Sequence, residues 1–472
     1  MGANEFGRYS PACLVPGVTV QGLDRLTRIR VCGERRTLRL RQTRRIFPMS
    51  LWSAIARSRL DRSIRKGCLE VTFPNGATSL FGSYCVSPIR IAIKSEAWLR
   101  RILLDPELQL GEAYMEGGLV LEAGDLYDLL DIFWTNILSD GSPSASLPAF
   151  LRKTFRAVAQ FNPRARSARN VAHHYDIGND LYRLFLDEDM QYSCAYFPDP
   201  ETSLADAQRF KKDHVARKLC LKPGDTVLDI GCGWGGLALH LAGRENVRVH
   251  GVTLSCEQHC LARERADDMG VSDRVEFELQ DYRNLTGRYD RIVSVGMFEH
   301  VGVPHYREYF DQIATCLKDN GTALIHTIGR TPGPGATNPW IARHIFPGGY
   351  IPALSEILPA IEKAGLMVLD VEILRLHYAE TLKAWRSRFL ARADEAKALY
   401  DDRFVRMWDF YLVCSELSFR HGVHNVFQLQ LAKRQDAVPL TRDYLYRTEP
   451  ARGPLRQVSP VNDERPFANA QR

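Results

Sequence analysis

No run of about 18 apolar residues occurs in the 472-residue sequence, so composition offers no transmembrane helix. The first residues lack the compact apolar core of a secretory signal peptide. The 11 cysteines are odd in number and scattered, with no C-x-x-C pair. That argues for a reducing cytoplasm and against a zinc ribbon or a disulfide framework. No internal repeat is visible. What is present is a globular balance of 45% hydrophobic and 25% charged residues, in a chain long enough for two or three domains.

Charge is unevenly placed. Residues 1–48 hold ten arginines against three acids, a net +7, so the rest of the chain carries −1 of the total +6. This leader reads as a disordered extension, as a basic arm for nucleic acid, or as an extension upstream of a natural start at Met49. Residues 51–66 set Leu51, Trp52, Ile55, Leu60 and Ile64 near helical spacing, with Arg57, Arg59, Arg62, Arg65 and Lys66 between them. Such a helix either lies on a membrane surface or packs on its own domain. "CLEVTFPNGATSLFG" alternates around Pro74-Asn75-Gly76 and predicts a hairpin. "IRIAIK" predicts a strand, and "SEAWLRRILLDPELQLGEAYMEGG" a Ser-capped helix.

Residues 49–140 therefore form a small α+β domain, and 141–165 a linker and helix that opens on "SDGSPSASLP". From about residue 215 strands and helices alternate: "TVLDI", "VRVHGVTL", "RVEFEL", "DRIVSV", "TALIHTI" and "LMVLDVEIL". That pattern predicts a doubly wound parallel sheet within a domain over 166–435, followed by an extended tail, 436–472.

"VLDIGCGWGG" (227–236) satisfies G-x-G-x-x-G with Gly231, Gly233 and Gly236, between a strand and a helix. A nicotinamide dinucleotide needs an acid at the end of the second strand. Thr253, Leu254 and Ser255 stand there instead, and the acid, Asp229, precedes the glycines. This suits S-adenosylmethionine, whose ammonium and ribose need acceptors and which has no phosphate. Asp281, in "LQDYR", could accept from an adenine amino group or cap a helix.

Ligands of open α/β sheets lie beyond the carboxyl ends of the strands. Glu299 follows strand "DRIVSV", and His326 interrupts the apolar strand "TALIHTI". Together they form a candidate site. Neither they and His300 nor "HHYD" (173–176) give metal-ligand spacing.

The chain resembles the cyclopropane-fatty-acyl-phospholipid synthases and their mycolic acid relatives. The residues that carry the likeness are "HYDIGNDLYRLFLDEDMQYSCAYF", "LKPGDTVLDIGCGWGGLA", "GVTLSCEQ", "LQDYR", "DRIVSVGMFEHVG", "HTIG", "PWIARHIFPGGYIP" and "HYAETLKAW", spread over about residues 50 to 440. The resemblance implies a Rossmann-like S-adenosylmethionine-dependent methyltransferase domain behind a small α+β domain associated with lipid and dimer contacts. The implied reaction is methyl transfer to the cis double bond of an unsaturated phospholipid acyl chain, then closure of a cyclopropane ring. An alkene needs no general base to attack, so no Ser-His-Asp or thiolate constellation is required. The base that acts afterwards is implied to be a bound bicarbonate. The resemblance places Cys194 and Ile328 (through backbone N–H groups), Glu299, His326 and Tyr378 around it. It adds Cys414, which matches a cysteine often assigned to the family's active site, in a helical, apolar setting.

The same match implies cofactor contacts from Tyr192, Ser193, Gly231, Gly233, Thr253, Leu254, Gln258, Asp281 and Tyr282. It also gathers Tyr175, Tyr196, Phe197, Phe298, Trp340 and Phe346 near the cavity, where ring faces would stabilise a cation by about 0.5–2 kcal/mol each unless they are ordinary core. A homodimer, cytoplasmic and transiently at the inner face of the membrane, is implied, with no nucleic-acid partner. Three alternatives stand beside this reading. One is alkene methylation giving methyl-branched or methylene chains. The others are small-molecule N-methylation and a lipid-binding protein with an inactive methyltransferase domain.

Overall fold

The computed structural model describes residues 49–83, 85–139 and 178–446. All belong to one compact unit, Pro48–Arg472. The arginine-rich leader, the expected linker and its helix, the "HHYD" segment with Tyr175, and the tail from residue 447 lie outside the described residues.

The chain enters through α1 (Leu51–Ser63), capped by Ser50, whose side chain accepts from Ser53 N–H. Ser53 and Ala56 face inward, and the Ser53 hydroxyl donates to Glu96 at 2.9 Å. The helix thus packs on its own domain, leaving Arg57, Arg59 and Arg62 exposed. Then come β1 (Cys68–Thr72), β2 (Thr78–Gly82) and β3 (Ile89–Ile93). β1 and β2 form the expected antiparallel hairpin, its turn closed by Phe73 N–H to Ala77 O with Gly76 at φ +79°. The helix expected from Ser95 is two: α2 (Glu96–Leu104) and α3 (Pro106–Met115). Pro106 has no N–H to give and forces Asp105 out of helical geometry, so the helix restarts there. β4 (Leu119–Ala123) completes a sheet in the order β2-β1-β3-β4, and α4 (Leu126–Ser139) packs beside it.

Cys68 and Cys85 form a disulfide, with Cα atoms 6.2 Å apart. This corrects the expectation of reduced cysteines throughout. The hairpin returns the loop after β2 to the start of β1, a proximity invisible in the spacing.

The larger part opens with α5 (Asn179–Phe185) and α6 (Leu204–Leu219). Alternation follows: β5 (Thr226–Ile230), α7 (Gly236–Glu245), β6 (Arg248–Thr253), α8 (Cys256–Asp268), β7 (Val275–Leu279), β8 (Tyr289–Val295), α9 (Tyr306–Cys316) and β9 (Leu317–Arg330). The rest is α10 (Pro339–His344), α11 (Leu354–Lys363), β10 (Met367–Leu374), α12 (His377–Ala391), α13 (Ala393–Leu399), α14 (Asp402–Arg420), β11 (His424–Ala432) and a helical turn, α15 (Asp443–Tyr446). The sheet order is β10-β11-β9-β8-β5-β6-β7. The six expected strands are all present. β11 was not expected, and it runs antiparallel to both neighbours, so the sheet is mixed, not wholly parallel. Part of the expected tail is docked: Leu445 is buried, and the Tyr444 hydroxyl bonds to Gln430.

Candidate active site

β5 ends at a turn that only glycines fill comfortably: Gly231, Gly233 and Gly235 have φ of +80°, +57° and +81°. The N–H groups of Gly231 and Cys232 both donate to Val252 O, tying the turn to β6. A cavity opens there beyond the strand ends. Asp229, Gly231 and Gly233 line it from the turn, Thr253, Leu254 and Gln258 from β6 and α8, Tyr282 from beyond β7, and Tyr192 and Ser193 from the loop after α5. Nine of the ten cofactor residues expected from sequence thus converge on one space. Thr253 Oγ1 donates to Gln258 Oε1 at 2.8 Å, which fixes that amide. The Tyr192 hydroxyl is 2.8 Å from that of Tyr411, and its ring stacks on Trp385.

Asp281 is the exception. It caps the turn after β7 by accepting from Arg283 N–H, and the Arg283 guanidinium takes its carboxylate at 2.8 and 2.6 Å. Arg283 thus holds the expected adenine acceptor, which does not itself line the cavity, whereas Gln280, Tyr282 and Arg283 do.

Asp229 is buried and its Oδ2 has no partner. Burial raises its pKa to about 7, with Lys211 pulling the other way. An orphaned, reluctantly ionised carboxylate beside open space fits a cationic ligand, the character of S-adenosylmethionine. Such a ligand binds the ionised form. Its affinity should therefore fall from pH 7 to pH 6, by up to about tenfold per pH unit, and Asp229→Asn should flatten the profile. Calorimetric titration at the two pH values checks this; a flat profile in the parent would remove the Asp229 charge from binding.

Glu299 lies on the short turn after β8, buried. Its Oε1 accepts from Ile328 N–H at 2.6 Å, and its Oε2 has no partner. Burial raises its pKa, against hydrogen bonds from the Ile328 N–H and the Thr327 side chain to the carboxyl group. The Ile328 N–H expected to face an anion is thus spent on Glu299, because the strand β9 runs directly past the turn. His326, within β9, pairs in register with Val295, the last residue of β8, and Glu299 follows four residues further on. Burial lowers the pKa of His326 to about 3, so it is neutral. The Gln428 side-chain amide hydrogen-bonds to its Nδ1 at 3.1 Å. Sequence reading missed Gln428, since β11 itself went unread.

Cys194 is buried, its thiol donates to Ala195 O, and burial pushes its pKa well up. Ala195 N–H donates to Thr381 Oγ1 and Phe197 N–H to His377 Nδ1, which pins residues 194–197 to the start of α12, where Tyr378 stands. Cys194, Ile328 and Tyr378 share one apolar cluster. Cys414 sits on α14 away from the cavity lining, with its thiol pKa likewise raised by burial. A thiolate is not available at either position.

The aromatics divide. Phe346 packs on His300, a cavity residue, and on Tyr411. Tyr196 is stacked between His214 and His377, and Phe197 packs against the same apolar cluster as Cys194. Phe298 belongs to the core with Tyr306, Tyr309 and Phe310, and Trp340 is buried against Phe410 and Met115. The last two are ordinary core. Among the described residues no group of three or more His, Cys, Asp or Glu side chains is placed to hold a metal, and no helix is long and apolar enough to cross a membrane.

A family model described as "Mycolic acid cyclopropane synthetase" matches residues 162–429. The chain belongs to this family. The synthetase-family region takes in the whole seven-stranded sheet except the last residues of β11. A second model, a domain of unknown function, matches residues 57–139. The cyclopropane-fatty-acyl-phospholipid synthase of Escherichia coli is 40% identical over 71% of this chain and 85% of its own. A probable fatty acid methyltransferase of Pseudomonas putida is 38% identical over 76% and 92%. Among solved structures, a cyclopropane synthase from Mycobacterium tuberculosis matches with TM-score 0.55 and 32% identity over 58% of this chain and 99% of its own. A mycolic acid cyclopropane synthase complexed with S-adenosylhomocysteine matches with TM-score 0.54 and 32% identity over 58% and 99%. This synthetase-family protein is an S-adenosylmethionine-dependent methyltransferase acting on lipid acyl chains.

Proposed function

We propose that the protein methylates the cis double bond of unsaturated phospholipid acyl chains and closes a cyclopropane ring. The observation that carries this is Glu299: a buried carboxylate with one oxygen fixed by Ile328 N–H and the other unpartnered, just beyond β8, whose neighbour β9 carries His326. Bound S-adenosylmethionine supplies an electrophilic methyl group. The alkene π electrons form a bond to that methyl carbon as its bond to sulfur breaks, leaving a carbocation on the chain. Loss of a proton from the new methyl closes the ring.

A bound bicarbonate, when present, supplies the base for that proton. Glu299 Oε2 would accept its hydroxyl, and the ring N–H of neutral His326 would donate to an oxygen; Tyr378 and the backbone of Cys194 would complete the hold. Asp229, Thr253 and Gln258 hold the cofactor, and Tyr192 and Phe346 help exclude water.

A second reading rests on relatives. Besides the Pseudomonas putida protein, a tuberculostearic acid methyltransferase of Mycobacterium tuberculosis is 36% identical over 81% of this chain. The same cation could accept hydride or lose another proton, giving a methyl-branched or methylene chain. Production in a bacterium lacking its own synthase, followed by lipid analysis, decides. Cyclopropyl chains that survive mild hydrogenation are expected; branched or methylene products alone would overturn ring closure.

We further propose that the protein works as a homodimer in the cytoplasm and reaches the membrane surface through its N-terminal part. α1 supports the second point, since it keeps Arg57, Arg59 and Arg62 exposed, with Arg65 just beyond it and Leu51 71% exposed. Replacing these four arginines with Gln should weaken binding to anionic vesicles by at most about 1 kcal/mol per charge. Deleting residues 1–48 should leave it nearly intact. Vesicle sedimentation reads both; equal binding by the arginine variant and the parent would sink the idea.

A further inference from the structure

One face of α6 grips the wall of the cofactor cavity. Gln208, Lys211 and Lys212 lie three and four residues apart, on adjoining turns, and all are buried. Gln208 Nε2 donates to the carbonyls of Gln191 and Ser193 at 3.2 and 3.0 Å. Lys212 pairs with Asp189. Lys211, 1% exposed, donates through Nζ to Gln191 Oε1 at 2.6 Å and to Ser193 Oγ at 2.8 Å. Gln191 and Ser193 both line the cavity.

A buried ammonium is costly, and lysine is among the residues least often found fully buried. The methyl-transfer chemistry gives this one no work as acid, base or nucleophile. Its surroundings explain its presence. The charged and titratable groups around it are Asp187, Asp189 and Cys194 from the wall segment, Asp229 from β5, His326 from β9 and Lys212 on its own helix. Burial lowers its pKa to about 8, while Asp187 and Asp189 hold the charge on. A neutral glutamine or methionine would make neither the two short bonds together nor the interaction with Asp229.

We infer that Lys211 is a positioning residue of the cofactor site: from behind the wall it sets the Ser193 hydroxyl and the Gln191 side chain against the ligand and supplies positive charge to Asp229. This rests on the reading that S-adenosylmethionine occupies the cavity. The geometry has a direct consequence. Ser193 is tied to Lys211 through one contact among those the lysine makes, so once Lys211 is lost the further loss of the Ser193 hydroxyl should add nothing.

The experiment is calorimetric titration of the full chain with S-adenosylhomocysteine, for the parent, Lys211→Met, Ser193→Ala and the double variant, alongside kcat and KM for S-adenosylmethionine. Lys211→Met should raise the Kd and the KM at least tenfold and lower kcat less than threefold. Ser193→Ala should weaken binding severalfold, and the double variant should bind no more weakly than Lys211→Met alone. A merely structural lysine would instead lower the melting temperature and kcat, with additive effects on binding. If Lys211→Met does not fold, Ser193→Ala and Gln191→Met together still decide, because unchanged affinity in both removes the wall contacts through which Lys211 acts. A folded Lys211→Met variant with the parent's affinity overturns the inference. A parent that binds no S-adenosylhomocysteine overturns the cofactor reading itself, which is a different outcome.

Discussion

Gly233→Val should abolish measurable S-adenosylmethionine binding, raising the Kd more than a hundredfold, which is about 2.8 kcal/mol or more. A Cβ built at Gly233 meets no protein atom within 4 Å. The space it would enter is the cavity itself, so the branched side chain would displace ligand and not protein. The residue also has φ +57°, where a β-branched side chain costs roughly 1–3 kcal/mol of backbone strain. The two effects can be separated. Gly365 follows α11 with φ +73°, likewise has nothing within 4 Å of its Cβ, and does not line the cavity. Gly365→Val should therefore lose comparable stability and keep full affinity. Calorimetry and thermal melts on both variants are the measurement. Unchanged affinity in Gly233→Val, or tight binding of a nicotinamide dinucleotide by the parent, would overturn the placement of the cofactor.

That turn was legible because its signals are local. An apolar strand, an acid and spaced glycines sit within ten residues, and the missing acid at the end of β6 excluded the dinucleotide. Glu299 and His326 could be placed for a related reason: parallel topology carries adjoining strands to one edge, which sets Glu299 just beyond β8 and His326 on the neighbouring β9.

What the sequence hid is tertiary. Asp281 reads as an adenine acceptor or a helix cap, and its pairing with Arg283, which folds back from two residues on to bond both oxygens, leaves no mark in the pattern. Cys68 and Cys85 meet only because the hairpin returns. β11 follows α14 across a turn at Gly422 and carries Gln428 and Gln430 inward, so its run lacks a plain apolar pattern. With β11 unread, the partner of His326 was unread too. Lys211 looks like any helix lysine; only the packing of α6 beneath residues 187–193 makes it an interior cation. Periodicity finds elements and edges, whereas the commitments of individual polar groups depend on what crosses them.

Glu299→Gln should slow turnover about ten- to hundredfold while leaving cofactor affinity nearly unchanged. The substitution keeps size and keeps an oxygen for Ile328 N–H, which now donates to Oε1 at 2.6 Å. It replaces the unpartnered Oε2 with an NH2 group, so the position turns from acceptor to donor. A bicarbonate hydroxyl would then lose its anionic partner, a charge-assisted bond of roughly 1.5–3 kcal/mol. Expressed fully in the transition state, that is the stated range of rate.

Stability should move the other way. Burial raises the Glu299 pKa above its unfolded value. The unfolded chain therefore releases this proton at lower pH than the folded one, and stability falls as pH rises from the unfolded pKa through the folded one. Above that window the parent carries the full penalty, and glutamine does not. At pH 8 the variant should melt no lower than the parent, so lost turnover cannot be assigned to unfolding. Turnover, melting temperature and S-adenosylmethionine affinity measured on one preparation, with and without added bicarbonate, make the test. Full activity would remove Glu299 from the mechanism, and an equal loss of cofactor binding would make it a cofactor ligand instead.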